Sequence, residues 1–210
     1  MSLYIVTGTD TGVGKTFVTS ALVAELRRAG TDAIGLKPVE TGWCEPSSDA
    51  ALLAAASELS IAEVIWAHFE LPAAPAVAAA AASTELDLEA LRAWVRTAAT
   101  AHTHCFLEGA GGWMVPMTDD HLFSDLVEQL SPAGVLLVSA SRLGTINHTL
   151  LTAEAIQRTA PLMAIALSVR PTDPPAEAAT HLAEISKRVS VPVFRLPQDL
   201  RALVGMFHVE

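Results

Sequence analysis

The chain has 210 residues, 51% of them hydrophobic, and a net charge of −10 from thirteen basic and twenty-three acidic side chains. Length and apolar content suit one domain, residues 1–210, with a proper core, while an acidic chain with scattered Lys and Arg argues against a nucleic-acid surface. No stretch has the length and purity of a transmembrane helix and no charged segment precedes a long apolar run at the N-terminus, so a soluble cytoplasmic protein without a membrane partner is expected.

In chain order, the apolar run 3–6 reads as a strand and delivers the chain to GTDTGVGKT, residues 8–16. This has the form of a phosphate-binding loop, in which glycines let the backbone approach anionic oxygens and amides at the start of the next helix face them. Lys15 is placed to reach terminal phosphates, the Thr16 hydroxyl to bind Mg²⁺, and Gly12, Val13, Gly14 and Phe17 to surround the nucleotide. Five residues separate Gly8 from Gly14 where the common pattern has four. An amphipathic helix over 16–29 ends at Gly30, and a second strand, 33–36, leads into KPVETG.

Lys37 there can direct an ammonium at phosphate or at a developing anion, the alternative being a surface lysine whose stem lies on apolar neighbours. A helix over 48–59 starts from a Ser/Asp cap, and Asp49 reads equally as a first-turn acid or as a metal ligand. The alanine-rich segment 72–83 favours a helix starting after Pro75 and packing through small side chains. A helix over 88–101 places Leu91, Trp94 and Val95 on one face, and a strand over 103–107 ends at Glu108, before Gly109, Ala110 and Gly111. A carboxylate at that point can help hold Mg²⁺, which takes few protein oxygens and completes its octahedron from water and nucleotide. Thr16, Asp49 and Glu108 form the candidate metal set. His102 and His104 read as structural or exposed.

Further helices are expected over 122–130, 147–159 and 176–189, and strands over 135–139, 163–169 and 192–196. The segment SRLGTINH puts Asn147 and His148 at a predicted helix start, where amides of Gly144, Thr145, Ile146, Asn147 and His148 can receive a carboxylate, with Asn147 alternatively a cap. Strands alternating with helices imply an α/β fold of the P-loop NTPase type, a mostly parallel sheet with helices on both faces. Ligands then bind beyond the carboxyl ends of the strands. Cys44 and Cys105 lack metal-ligand spacing and are expected as reduced thiols.

TGTDTGVGKT, KPVETG, SSDA, EGAGGW, LGTINHTLLT and a proline pair after the last long strand occur in one order over nearly the whole chain. In this the chain resembles the dethiobiotin synthetases, ATP-dependent carboxylases that close the ureido ring in biotin biosynthesis. The resemblance implies a homodimer acting on 7,8-diaminopelargonate, CO₂ or bicarbonate, and Mg²⁺ with ATP or another nucleoside triphosphate. It also implies that Lys15, Lys37 and Thr11 are catalytic, that Thr41 and the 144–148 amides, the latter from the partner subunit, bind substrate, and that PAAPAVAA borders the substrate pocket. Nucleotide contacts extend by the same resemblance to Arg170, Leu196, Pro197 and Gln198. Arg170 stands where many relatives carry an adenine-recognising asparagine, which implies relaxed nucleotide choice, and only thirteen residues follow Pro197, which implies an open nucleotide edge. A regulatory P-loop ATPase of the partitioning or septum-site type shares the fold, but that class carries an extra lysine early in the loop, where this chain has Thr9, Asp10 and Thr11.

Overall fold

The computed structural model describes residues 1–44 and 48–207; Ser47 of the SSDA motif and the last three residues lie outside this set. The chain runs through β1 (Ser2–Gly8), α1 (Lys15–Arg28), β2 (Ala33–Thr41), α2 (Asp49–Ser57), α3 (Ile61–Val64), β3 (Ile65–Phe69), α4 (Pro75–Ala81) and α5 (Leu88–Ala101). It continues through β4 (His104–Glu108), α6 (Phe123–Leu130), β5 (Gly134–Ala140), α7 (Thr145–Gln157), β6 (Leu162–Ser168), α8 (Pro175–Ser186), β7 (Val193–Leu196) and α9 (Leu200–Gly205). The strands form one sheet in the order β3-β2-β4-β1-β5-β6-β7, and every pair is parallel.

Strand side chains alternate between two apolar layers, as a sheet covered on both faces requires. Ile5, Cys105, Leu107, Val135 and Leu137 face one core, into which α5 inserts the fully buried Leu91 and Val95, with Trp94 packed at its edge. Each such aliphatic side chain contributes about 2 kcal/mol of burial. Val6, Phe106, Leu136 and Val138 face the other, covered by Val18, Leu22 and Leu26 of α1 and by Leu203 of α9. The buried Phe106 and Phe207, with the partly buried Tyr4, form an aromatic group at the end of that layer, and His104 Nε2 bonds the Phe207 carbonyl at 2.8 Å. His102 instead pairs with Asp32 on the surface, so both histidines have structural partners.

The chain leaves β1 toward β2 on one side and later returns to build β5, β6 and β7 on the other, so strand order reverses around β1. That reversal opens a crevice at the carboxyl end of β1, where the phosphate loop lies.

Several elements differ from the sequence reading. β3 was not expected; IWAHF is a half-buried edge strand of five residues, too short to show a decisive period. α3 and α9, with four and six residues, are likewise below the length at which periodicity speaks. β2 does not end at Leu36 but continues through Lys37 to Thr41, because β3 supplies a partner for that stretch. Pro38 is accommodated there since β4 pairs with β2 only as far as Leu36, leaving that flank of the strand without a ladder. α4 includes Pro75 as its first residue, where the missing N–H costs nothing. α7 begins at Thr145, two residues earlier than expected, capped by Gly144 in a left-handed conformation, so Asn147 is inside the helix and is not its cap.

Candidate active site

Beyond the carboxyl ends of β1, β2 and β4 lies a cavity of about 600 Å³. Thr11, Gly12, Gly14, Lys15, Thr16 and Phe17 form one wall, Lys37, Glu40, Thr41 and Asp49 another, and Ala110, Gly111, Gly112 and Val115 a third. Pro72, Ala73, Ala74 and Pro75 complete the rim, so the alanine-rich segment both borders the cavity and, through Ala78 and Ala79, packs into the core.

The loop between β1 and α1 is shaped for an anion. Gly14, at φ +98°, is the N-cap of α1, and a Cβ there would lie 2.6 Å from Ser168 Oγ, so only glycine permits this approach of loop to β6. The first-turn amides of α1 have no carbonyl within the helix to bond and face outward from its positive end. Lys15 Nζ folds back to donate to the Asp10 carbonyl at 3.1 Å. Burial and the charge of Lys37 push the Lys15 pKa down to about 8, against the attraction of Glu108, Asp49 and Asp10.

The floor of the cavity holds a charge cluster. Lys37 is not a surface lysine: it is 3% exposed, and its Nζ donates at 2.7 Å to both Asp49 Oδ2 and Glu108 Oε1. Burial alone would lower its pKa, but the carboxylates of Glu108 and Asp49 overcome this and hold the ammonium well above the ordinary lysine value. Asp49 is held below the usual carboxylate range: burial opposes this, but the charge and hydrogen bond of Lys37 and a bond from Thr16 prevail. Glu108, fully buried, accepts from the hydroxyls of Thr16 at 2.7 Å and Thr19 at 2.8 Å. Those threonines stand three apart on one face of α1, a spacing visible in the sequence, although no role was assigned there to Thr19.

Glu40 also went without an assignment. It is buried, and its two oxygens accept the N–H groups of Asp49 at 2.8 Å and Ala50 at 2.9 Å, fixing the start of α2 and with it the Asp49 carboxylate. Burial raises its pKa despite those two bonds. Ser48 caps the same helix by accepting from the Ala51 N–H. The sequence signal was an acid three residues past Lys37, readable only once β2 was known to extend that far.

Other expected residues lie elsewhere. Val13 is buried against Gly8 and does not line the cavity. Gly109 is a packing glycine beneath the wall: a Cβ there would meet the Phe123 ring at 2.7 Å. Leu196 is buried in the α1-side core, while Pro197 and Gln198 are exposed after β7, outside the cavity lining. Arg170 is exposed and donates to the Gly12 carbonyl at 3.1 Å. Gly144 to His148 lie at the start of α7, outside the lining of this cavity; the Thr145 hydroxyl is engaged by Ser139 at 2.6 Å, and the Thr145 and His148 amides by the carbonyls of Arg142 and Gly144.

For a metal ion, Asp49 and Glu108 bring two carboxylates to a common cation, the Lys37 ammonium, and the Thr16 hydroxyl donates to the same Glu108 oxygen at 2.7 Å. Among the described residues no group of three or more His, Cys, Asp or Glu side chains could hold a metal unaided. This hard-oxygen set, short of a full shell, fits Mg²⁺, which draws its remaining ligands from water and phosphate.

A parallel sheet whose central strand feeds a glycine-rich anion loop, with a lysine and a hydroxyl at the helix start and an acid ending the adjacent strand, defines the P-loop NTPase class. Comparisons agree and go further. A family model described as an AAA domain matches residues 3–200. Curated relatives called ATP-dependent dethiobiotin synthetase are 44% identical over 72% of this chain and 69% of the relative in Anaeromyxobacter sp. (strain Fw109-5), and 42% over 87% and 83% in Anaeromyxobacter dehalogenans (strain 2CP-C). A relative of the same name from Nitrosospira multiformis is 45% identical over 73% of this chain and 69% of its own length. The chain belongs to the ATP-dependent dethiobiotin synthetase family.

Among solved structures, a ParA family ATPase from Chlorobium tepidum TLS superposes with a TM-score of 0.52 at 11% identity, over 98% of this chain and 89% of its own. The chloroplast FtsY of Physcomitrella patens gives 0.54 at 15% identity, over 99% of this chain and 65% of its own. At such identities these likenesses describe the fold alone.

Proposed function

We propose that the protein is an ATP-dependent ligase of biotin biosynthesis that carboxylates 7,8-diaminopelargonate and closes its ureido ring to give dethiobiotin. The observation that carries this reading is the buried Lys37, joined to Asp49 and Glu108 on the floor of a cavity whose opposite wall is the phosphate loop.

One amine of the substrate captures CO₂ as a carbamate, losing a proton. Phosphoryl transfer from the nucleotide to a carbamate oxygen, with the nucleoside diphosphate leaving, gives a mixed anhydride, and attack by the second amine on the carbonyl carbon closes the five-membered ring with loss of a proton from that amine and release of phosphate. No protein nucleophile is needed, so the chain acts by positioning and by charge stabilisation. Lys15, released from the Asp10 carbonyl, meets the terminal phosphates together with the loop amides. Lys37 stabilises negative charge on the transferred phosphoryl group and carbamate from its buried post, where an ion acts with little screening. Thr11 and Thr41, both on the cavity wall, orient the amine and carbamate. Thr16, Asp49 and Glu108 would hold Mg²⁺, which would supply positive charge against the phosphates.

A homodimer completes this reading. The first turn of α7 does not line the cavity of its own chain, and Leu143 beside it is 96% exposed, which suits a turn presented to a second copy, whose carboxylate-bearing substrate it receives. Arg170, exposed beside the loop, stands where the base of the nucleotide is expected and favours relaxed base choice.

The test incubates the protein with the diamine, bicarbonate, Mg²⁺ and each of the common nucleoside triphosphates in turn, and weighs the product. Dethiobiotin is expected with more than one nucleotide. Its absence with all of them rejects the enzyme reading, and strict use of ATP rejects the role given to Arg170.

A further inference from the structure

The phosphate loop carries a carboxylate, Asp10, next to Thr11, which lines the cavity. Its backbone carbonyl receives Lys15 Nζ, so the residue belongs to the cradle in which a polyanion is to bind. One oxygen, Oδ1, accepts the Thr11 N–H at 2.8 Å and so holds the turn in shape. The other, Oδ2, accepts from Arg142 Nη2 at 2.7 Å, across 132 residues of sequence. Arg142 is itself anchored: its carbonyl accepts the N–H of Thr145, the first residue of α7.

We propose that Arg142 is the charge-compensating and positioning partner of the phosphate loop, neutralising Asp10 so that a carboxylate needed for the shape of the loop does not repel the bound triphosphate. Both side chains are more than half exposed, and ion pairs of that kind add little to stability. The consequence falls on the nucleotide, whose several negative charges lie within a screening length of the loop. Arg142 does not line the cavity, so its action passes through Asp10 and not through the ligand. The inference rests on the nucleotide-binding part of the proposed function and on nothing in the diamine chemistry.

A fluorescent ATP analogue titrated with Mg²⁺ into the whole chain at low and high salt tests it, with Arg142→Met, Asp10→Asn, the double substitution and Arg142→Lys beside the parent. Arg142→Met is expected to weaken binding about tenfold at low salt and distinctly less at high salt. Asn keeps an acceptor for the Thr11 N–H while removing the charge, so Asp10→Asn in the Arg142→Met background should restore affinity to within about threefold of the parent, and Arg142→Lys should stay within that range. A double variant as weak as Arg142→Met would show the arginine acting on the nucleotide directly and would overturn the proposal, as would an Arg142→Met variant that binds normally. Failure of the parent itself to bind the analogue would strike the nucleotide reading, whereas normal parent binding without the recovery would strike only the role of Arg142.

Discussion

The two flanks of the phosphate loop are built on opposite principles. On the β2 and β4 side, Lys37 and Glu108 are buried and share a closed network with Asp49, Thr16 and Thr19. On the β5 and β6 side, Arg142 and Arg170 reach the loop from exposed positions and bind Asp10 and the Gly12 carbonyl. The buried flank keeps charge where screening is weak and geometry rigid, suited to stabilising a reacting phosphoryl group. The exposed flank uses screened charges with long stems, suited to tuning affinity and base choice at small cost in stability. The difference teaches that cations of equal charge around one loop differ in consequence chiefly through their burial.

The sharpest way to break this contrast is Lys37→Gln. Turnover should fall by about two to three orders of magnitude while nucleotide affinity changes little, because the missing interaction matters where charge develops. The free variant should also lose about 3 kcal/mol of stability, since Asp49 and Glu108 are left without their cation, and added Mg²⁺ should restore part of it. Initial rates, nucleotide titration and thermal melts with and without metal measure these effects; near-normal turnover would remove Lys37 from the mechanism.

A smaller effect probes the rigidity of the buried flank. Gly109→Ala places a methyl group 2.7 Å from the fully buried Phe123 ring, and the resulting shift should cost about 2 kcal/mol in denaturant unfolding. An unchanged midpoint would show that this wall yields readily, contrary to the rigidity argued for it.

The smallest signal comes from Lys15. Its pKa of about 8 in the free protein lies below the ordinary 10.5, so the unfolded chain binds more protons between those values. This group therefore opposes folding fully below pH 8, and its opposition fades as the pH rises from 8 toward 10.5. A bound triphosphate favours the ammonium, so nucleotide binding at pH 8.5 should take up part of a proton. Calorimetric titrations in two buffers of different ionisation enthalpy should then give different heats, and Lys15→Met should abolish the difference. Identical heats for the parent would place Lys15 fully charged before the nucleotide arrives.

The sequence by itself determined the class of fold and the anion loop. Strand, glycines, Lys15, Thr16 and the helix over α1 are contiguous, and local backbone rules act over such distances. Glu108 was legible for the same reason, as an acid at the end of an apolar run. Short elements were not: β3, α3 and α9 depend on neighbours for their hydrogen bonds and burial, and a few residues carry no period that distinguishes them. For the same reason the true end of β2 was hidden, and with it Lys37 as a strand residue and Glu40 as the anchor of α2. A cap was one reading of Asn147 because its side chain suits one, whereas Gly144 takes that place through a backbone conformation only glycine adopts easily. What only the tertiary structure decided was which charges meet. The sequence shows no second cation in the phosphate loop, yet the fold brings Arg142 to Asp10 and Arg170 to Gly12 from more than a hundred residues away. Local propensity shapes a loop, but the electrostatic surroundings of that loop are set by whichever strands the sheet lays beside it.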